Sequence, residues 1–354
     1  MALDPKNRIM IFPRLNKIII AVVTLALIVA GYLAHTFYQY AFAPNVAATG
    51  ELYIPTGADF EQTLDSLRNN RLLINEKPFV FIANKKHYNE RVSPGHYTLT
   101  QGMNTNSIVN MLLAGNQTPV QVTFNNVRYL ENLAAKVAQD LALDSATLVQ
   151  RLTDPAIIEK FGFTRENFIC MFIPNTYEMY WTATPDQFIE RMHTEYERFW
   201  TDARRAAAAA QKLTPVEASI LASIVQGETN RNNEKPIVAG LYLNRLRIGM
   251  PLQADPTVQY LLNDPSRQRI LTQDLHDIDS PYNTYKYTGL PPGPISCPEI
   301  SSLNATLNPA KHDYLFMVQK DDFSGNHVFT KTLQQHNIYA ARYHKALNER
   351  KIFK

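Results

Sequence analysis

Glu228 is an acidic residue at the end of a segment whose apolar residues recur with helical spacing. Thr214 is a suitable N-cap and Pro215 suits the first helical position, so the sequence predicts that a helix begins here. Leu221, Ile224 and Glu228 follow the spacing that places side chains on one face of a helix. The pattern therefore predicts a carboxyl group at the C-terminal end of an apolar stripe.

That position favours the protonated form of the carboxyl group. The C-terminal end of a helix carries partial negative charge, and apolar neighbours also disfavour an anion. Together they raise the pKa of a glutamate from about 4.3 towards about 6. A carboxylic acid that keeps its proton near neutral pH can protonate a glycosidic oxygen. On periodicity alone, a glutamate paired with a buried arginine, or one lying at the helix rim, is the commoner structural alternative.

Polar and aromatic residues follow this helix. The sequence predicts a second helix from Pro236 to Ile248, then the segment 250–257 (MPLQADPT) and the turn-rich segment 281–293 (PYNTYKYTGLPPG). Tyrosine rings stack on the CH faces of sugars, and amide side chains bind sugar hydroxyls. The same residue types are also common at protein interfaces, so their composition alone leaves both interpretations open.

The composition describes a folded protein large enough for two or three domains. The chain has 354 residues, of which 45% are hydrophobic and 19% charged. A net charge of +3 is too small to indicate nucleic-acid binding. The two cysteines cannot form a disulfide framework, and zinc-ligand spacing is missing from the sequence, so we expect no structural metal.

An apolar run near the N-terminus predicts a membrane anchor over residues 18–40. Basic residues precede the run (Lys6, Arg8, Arg14 and Lys17), and the next basic residue after it is Arg68. The positive-inside rule then predicts a cytoplasmic tail at 1–17, with the rest of the chain across the membrane. A signal peptide cleaved after Ala41-Phe42-Ala43 is the main alternative, disfavoured by the length of the run and by Pro44. A buried core helix is disfavoured by the charge asymmetry.

Beyond the anchor, the sequence predicts an α+β protein with two further domains. Residues 50–117 read as strands at 51–54 and 96–99 and helices at 59–72 and 105–113. This unit resembles a LysM-like domain, which implies contact with N-acetylglucosamine polymers; a spacer or interaction domain is the alternative. Residues 118–354 form a larger mixed α+β domain, in which we expect one long helix from Asp186 to Leu213.

Several motifs in fixed order resemble the MltG/YceG-like family of endolytic murein transglycosylases. They are ASIVQGETN at 222–230, NRLRIGMPLQADPTVQY at 244–260 and SPYNTYKYTGLPPGPI at 280–295. The resemblance continues through NPAK at 308–311, DYLF at 313–316 and HVF at 327–329, and upstream through MFIPNTY at 171–177. With the anchor and the LysM-like unit, it covers nearly the whole chain.

The resemblance implies one essential glutamate in this chain, Glu228. Many family members carry two glutamates in the segment A-S-I-V-E-x-E-T, but here the first position is Gln226. We assign Glu228 because it alone remains and lies on the apolar stripe. Asn175, where the family often has aspartate, is a second departure and makes a charge-based role at that position doubtful.

The implied reaction is non-hydrolytic cleavage of the MurNAc–GlcNAc bond of peptidoglycan, without metal or organic cofactor. Glu228 would protonate the leaving oxygen and then, as carboxylate, accept the proton of the MurNAc C6 hydroxyl as it closes a 1,6-anhydro ring. One carboxylate can serve both steps because the nucleophile is intramolecular. We expect seven residues to line the glycan cleft: Asn244, Gln253, Asp255, Thr257, Tyr282, Asn283 and Tyr285.

Three other interpretations compete with this one. A muramidase would hydrolyse the same bond with a second carboxylate, for which Asp255 is the candidate. A non-catalytic glycan-binding scaffold of the elongation machinery would fit the departures at Gln226 and Asn175. Cysteine chemistry with Cys297 and His312 is the weakest, because the family signatures of such enzymes do not surround these residues.

The resemblance also implies a location and partners. We expect a single-pass protein of the inner (cytoplasmic) membrane with its N-terminus in the cytoplasm and its catalytic domain in the periplasm. Its substrate would be peptidoglycan glycan strands, and its protein partners would be peptidoglycan synthases and elongation proteins.

Overall fold

The computed structural model describes residues 8–264, 270 and 272–350, and it shows a mixed α+β protein with an N-terminal apolar helix. The first seven residues of the predicted cytoplasmic tail, Lys6 included, lie outside the described residues, as do the last four of the chain. The chain divides into two compact units. One contains residues 1–120 and 180–182, and the other contains residues 121–179 and 183–354.

Helix α1 spans Arg8–Phe42 and includes the predicted anchor at 18–40. Its part Asn16–Phe42 is apolar and largely exposed, and its 27 residues are long enough to cross a membrane. A signal sequence near the N-terminus would have the same character. At its end the helix enters the first unit, where Ala41 is buried in the core and Tyr40 packs edge-on against Phe81.

The first unit packs three helices on one face of a two-stranded antiparallel sheet. Strand β1 (Gly50–Ile54) pairs with β2 (Gly95–Leu99), and the helices are α2 (Phe60–Asn69), α3 (Glu76–Lys85) and α4 (Thr105–Ala114). Alternation along the strands turns Leu52, Ile54, Tyr97 and Leu99 into the core. Both strands and the helices α2 and α4 lie where the sequence predicts them. Helix α3 was missed.

The second unit begins with a two-stranded sheet and a series of α-helices. Its elements are β3 (Val120–Phe124), α5 (Leu130–Val137), α6 (Ser145–Leu152), α7 (Pro155–Lys160), β4 (Asn175–Met179), α8 (Pro185–Phe199) and α9 (Asp202–Ala210). The prediction of one helix from Asp186 to Leu213 is wrong. The helix is interrupted at Trp200 and Thr201, where the Thr201 side chain accepts a hydrogen bond from the Arg204 amide and caps α9.

Helix α10 (Pro215–Glu228) forms the centre of the second unit. Residues 218–226 are all buried, so the helix is enclosed on every side and not only along the predicted stripe. The elements that follow it are α11 (Lys235–Arg247), α12 (Asp255–Leu262), α13 (Thr272–Asp277), α14 (Ile300–Leu307), β5 (Phe316–Gln319), β6 (His327–Thr330) and α15 (Leu333–Glu349). Helices α11, α12 and α14 all pack against α10. The end of α10 is therefore held from several directions.

Candidate active site

Glu228 is the last residue of α10 and is only partly exposed. The capping box at the other end of the helix, in which Thr214 and Glu217 each bind the other's backbone amide, fixes where α10 starts. On the neighbouring helix α11, the buried Tyr242 donates its hydroxyl hydrogen bond to Oε1 of Glu228 at 2.5 Å. One carboxyl oxygen thus has a fixed protein donor.

The surroundings of Glu228 favour its protonated form. Burial raises the pKa of the carboxyl group from 4.5 to about 7. The hydrogen bond from Tyr242 and the charge of Arg245 lower this pKa, whereas the charge of Asp255 raises it further. Near neutral pH, both the acid and its conjugate base are therefore accessible at this one position.

Asp255 forms a second carboxylate–tyrosine pair beside the first. It is the exposed first residue of α12, an end of a helix where the macrodipole favours negative charge. The hydroxyl of Tyr285 donates a hydrogen bond to Oδ1 of Asp255. Burial, followed by the contact with Asp255, raises the pKa of Tyr285, so this hydroxyl remains a neutral donor. Glu228 and Asp255 thus lie at helix ends of opposite polarity.

Gly227 allows the two helix ends to approach each other. A Cβ atom at this position would lie 2.6 Å from Cβ of Pro256 and 2.9 Å from its Cγ. Pro256 is the residue after Asp255, so any side chain at 227 would push the start of α12 away from Glu228. The glycine between Gln226 and Glu228 is thereby required by close packing.

Gln226 faces a different helix from Glu228. It is buried, and its Oε1 accepts hydrogen bonds from the Glu299 amide at 2.6 Å and from the Ser302 hydroxyl at 3.1 Å. Glu299 is the N-cap residue of α14 and Ser302 lies in the first turn of that helix, so Gln226 holds the N-terminal end of α14. Gln226, where many family members have a second glutamate, therefore contacts the N-terminal end of α14.

Three residues expected to line the glycan cleft are buried instead. Asn244 donates to the carbonyl oxygens of His312 and Tyr314, and Asn283 donates to those of Leu275 and Ile278. Thr257 donates to the Ala254 carbonyl and shares a hydrogen bond with Thr284. Buried backbone carbonyls need such partners, so these side chains hold loops in place beneath the site.

The other four expected residues reach the surface. Gln253 and Asp255 are exposed, and Tyr282 and Tyr285 are partly exposed. Tyr282 packs against Tyr260 with ring centroids 5.1 Å apart, and Tyr260 packs against Tyr129 at 5.4 Å. Three tyrosine rings thus follow one another in series, a feature for which the sequence contained no signal beyond composition.

Glu234 ties the loop after Glu228 to strand β6, which pairs antiparallel with β5. This buried carboxylate accepts hydrogen bonds from the His327 amide at 2.7 Å and from His327 Nδ1 at 2.9 Å, and from the Thr229 hydroxyl at 3.3 Å. Burial alone would raise the pKa of Glu234, but the hydrogen bonds from His327 outweigh it and keep the pKa below 4.5. Sequence reasoning missed both Glu234 and Tyr242, because their contacts arise only on folding.

Arg245 is also buried, and its hydrogen bonds support the backbone near the site. Its guanidinium donates to the Leu315 carbonyl at 2.7 Å and to the Leu252 carbonyl at 2.6 Å, which joins α11 to the segments on either side of the site. Burial lowers the pKa of Arg245. Its electrostatic influence on Glu228 is attractive, but its hydrogen bonds go to the backbone.

The Cys297 and His312 alternative does not fit the structure. Both ring nitrogens of His312 bind backbone, with Nε2 donating to the Ile237 carbonyl and Nδ1 accepting from the Tyr314 amide. Cys297 is buried and free, and burial raises the pKa of its thiol. Cys170 is likewise buried and free. Within the described part of the chain, groups of three or more His, Cys, Asp or Glu residues able to hold a metal ion are absent.

Comparison with known proteins gives consistent matches over most of the chain. The model of the YceG-like family matches residues 52–342. The endolytic murein transglycosylase of Bacillus subtilis (strain 168) is 30% identical over 317 residues, which cover 85% of this chain and 87% of that protein. The endolytic murein transglycosylase of Streptococcus pneumoniae (strain D39) is 25% identical over 355 residues, covering 91% of this chain and 64% of that protein.

A solved structure has the same fold. The crystal structure of a yceG-like protein from Listeria monocytogenes aligns with a TM-score of 0.56 and 27% identity. The alignment covers 82% of this chain and 98% of that one.

Proposed function

The chain belongs to the YceG-like family, and from that premise we propose that it is a peptidoglycan lytic transglycosylase that cuts glycan strands internally. The reaction splits MurNAc–GlcNAc bonds without water and leaves 1,6-anhydroMurNAc ends. The observation that carries the proposal is the carboxyl group of Glu228, whose pKa of about 7 suits both an acid and a base at neutral pH.

Glu228 performs both proton transfers. With Oε1 accepting from Tyr242, the acid proton is carried by Oε2 and passes to the glycosidic oxygen as the C1–O bond breaks. The carboxylate then takes the proton of the C6 hydroxyl as that oxygen bonds to C1, so the enzyme regains its starting state. Tyr242 stabilises the carboxylate between the two steps, as a charge-assisted hydrogen bond does.

Asp255 serves as an electrostatic partner in this scheme. Positive charge develops on the sugar ring as the bond breaks, and a nearby carboxylate stabilises it. The hydrogen bond from Tyr285 holds the Asp255 carboxyl group in place and occupies one of its oxygens. Tyr282, Tyr285 and Gln253 complete the substrate-facing surface. Hydrolysis with Asp255 activating water is the second candidate, and the chemical form of the new chain ends distinguishes it.

The interpretation as a non-catalytic scaffold rested on the departures at Gln226 and Asn175, and the contacts of these two residues do not favour it. The replacement at Gln226 leaves Glu228 and its hydroxyl donor intact, because the two side chains contact different helices. Asn175 is exposed at the start of β4, where its own Oδ1 accepts from the Thr176 amide, a local turn contact.

We propose that residues 1–117 position the enzyme. Helix α1 anchors it in the inner membrane with the N-terminus in the cytoplasm and the catalytic domain in the periplasm, as the basic residues before the span favour. The unit at 50–117 serves as a LysM-like domain, since α2 and α3 join two antiparallel strands. Peptidoglycan synthases and elongation proteins are the protein partners that we expect.

The test uses the full chain in detergent micelles, with Glu228→Gln as the matched variant. Each protein is incubated with uncross-linked glycan strands, and the products are identified by mass spectrometry. We expect internal fragments ending in 1,6-anhydroMurNAc, and a loss of at least about a hundredfold in the variant. Reducing ends that are one water heavier would support hydrolysis, and intact strands from the wild type would contradict both enzymatic readings.

A further inference from the structure

The outer face of the β1–β2 sheet carries exposed aromatic rings. Tyr53 lies opposite His96 in the register of the strands, and the two rings stack with centroids 4.5 Å apart. Trp181 comes from a segment distant in sequence and meets the Tyr53 ring at 5.0 Å and an angle of 69°. Tyr53 remains 41% exposed, and Tyr180, the neighbour of Trp181, is 56% exposed. We call Tyr53, Trp181 and Tyr180 the aromatic platform.

The floor of the aromatic platform is rigid. His96 is buried, and its Nδ1 binds the Thr118 carbonyl at 2.9 Å while its Nε2 binds Oε2 of Glu51 at 2.7 Å. The ring beneath Tyr53 therefore cannot rotate. Because Tyr53 is held between His96 and Trp181, it loses little further freedom when a ligand stacks on it.

Polar groups border these rings. The side chain of Glu51 is 46% exposed and accepts a hydrogen bond from the Thr98 hydroxyl. Gln117 packs against Gly95, the residue before His96, and its amide nitrogen donates to the hydroxyl of Thr182, the residue after Trp181, at 3.2 Å. Carboxylate, amide and hydroxyl groups beside rings that meet at a steep angle suit a sugar ring, which presents CH groups on its faces and hydroxyl and acetamido groups at its edges.

We propose that the aromatic platform binds a pyranose unit of a glycan strand. This inference rests on the proposed function, which supplies the N-acetylated polysaccharide that the platform would hold. The CH face of one sugar stacks on Tyr53 with Trp181 alongside, and its polar substituents meet Glu51 and Gln117. The site belongs to the first unit of the chain, whereas Glu228 belongs to the second, so retention of a strand and its cleavage are separate tasks.

The chain provides its own reporter for this site. It contains two tryptophans, of which Trp200 is buried at 1% exposure and Trp181 belongs to the aromatic platform. The experiment titrates full-length Glu228→Gln protein in micelles with uncross-linked glycan strands, and with N-acetylglucosamine oligomers, while tryptophan fluorescence is recorded. We expect a saturable change in emission, because a stacked sugar displaces water from the Trp181 ring.

Matched variants assign the change to the platform. Tyr53→Ala and Trp181→Ala should each weaken retention of the strands by about tenfold, measured by co-sedimentation, since one stacking contact is lost. Tyr53→Phe keeps the ring and should bind like the parent. Phe81→Ala removes another exposed aromatic residue of the same unit and should also bind like the parent. Circular dichroism identifies any variant that fails to fold.

The outcomes separate this inference from the proposed function. A wild-type chain that cleaves strands while glycan leaves its tryptophan emission unchanged would overturn the platform and leave the lyase activity standing; the rings would then be a face for a protein partner. Equal retention by the parent, Tyr53→Ala and Trp181→Ala would overturn it too. Saturable binding at Trp181 in a chain that cleaves nothing would support the platform and contradict the enzyme.

Discussion

The hydroxyl of Tyr242 and Oε1 of Glu228 are joined by a hydrogen bond of 2.5 Å between neighbouring helices. Burial raises the pKa of Tyr242 far above 10, with the charge of Glu228 adding to the effect, so the hydroxyl keeps its proton at any pH where the protein works. It therefore remains available as a hydrogen-bond donor to the Glu228 carboxylate. Tyr242 therefore favours the carboxylate of Glu228 while burial favours the acid.

Replacing Tyr242 by Phe should make Glu228 a weaker acid. The hydrogen bond lowers the pKa of Glu228, so its loss should raise that pKa from about 7 by roughly one unit. Because the first step requires a protonated carboxyl group, kcat/KM should fall at higher pH in the variant than in the wild type. The measurement is the pH profile of anhydro-end formation. If kcat/KM of the variant declined at the same alkaline pH as that of the wild type, Tyr242 would have only a packing role.

Replacing Asp255 by Asn should move the alkaline decline of activity to lower pH, opposite to the effect of Tyr242→Phe. The charge of Asp255 raises the pKa of Glu228, and a neutral amide removes that contribution while keeping an oxygen for Tyr285. Activity should therefore decline at lower pH than in the wild type, with turnover reduced by about tenfold through loss of charge stabilisation. Anhydro ends should still form. If Asp255→Asn abolished cleavage and the wild type produced hydrolysed reducing ends, one water heavier than anhydro ends, the muramidase mechanism would be favoured.

Replacing Glu228 by Gln should stabilise the fold above neutral pH. The native chain holds the Glu228 proton more tightly than the unfolded chain does, so the free energy of unfolding of the wild type falls as pH rises from about 4.5 to about 7. Glutamine avoids this loss and keeps an oxygen for Tyr242. The variant should gain up to about 3 kcal/mol above pH 7 and little below pH 4.5. Thermal unfolding at pH 5 and pH 8 tests this, and an equal difference at both would contradict it.

The sequence predicted a carboxyl group at the end of α10 but not its surroundings. Glu228 could be found because helix periodicity and end effects are local. The partnership with Tyr242 could not, because it depends on how α10 and α11 pack. The burial of Asn244, Asn283 and Thr257 could not be predicted for a related reason: an amide or hydroxyl looks the same in sequence whether it faces substrate or satisfies a buried carbonyl.

The fold was predicted best where apolar spacing was regular. Strands β1 and β2 and the helices α2 and α4 follow their patterns, whereas α3 (EKPFVFIANK) was missed. Pro78 and the run of aromatic and β-branched residues in α3 argue locally against a helix, but a proline in the first turn is tolerated and packing against the core decides the rest.

Replacing Gly227 by Ala should displace the start of α12. The added Cβ would lie 2.6 Å from Pro256, so the backbone must move, at a cost of about 1–3 kcal/mol. Asp255 moves with Pro256, and cleavage should fall more than the unfolding temperature accounts for. Gly31→Ala is the matched control, since its added Cβ meets nothing within 4 Å. Full activity in Gly227→Ala would show that the approach of α12 is dispensable.

The role of Gln226 can be separated from catalysis by two substitutions. Gln226→Ala removes the acceptor for the Glu299 amide and the Ser302 hydroxyl and should destabilise the protein by about 1–3 kcal/mol. Gln226→Glu keeps an acceptor at the N-terminal end of α14, where negative charge is favoured, and should retain most of the stability. Turnover of folded Gln226→Glu should stay within about twofold of the wild type, because this side chain faces α14 and not the carboxyl group of Glu228. A gain of tenfold or more would contradict the capping role, since it would mean that a glutamate at 226 takes part in proton transfer. Thermal unfolding and the rate of anhydro-end formation, measured on the same preparations, distinguish the two.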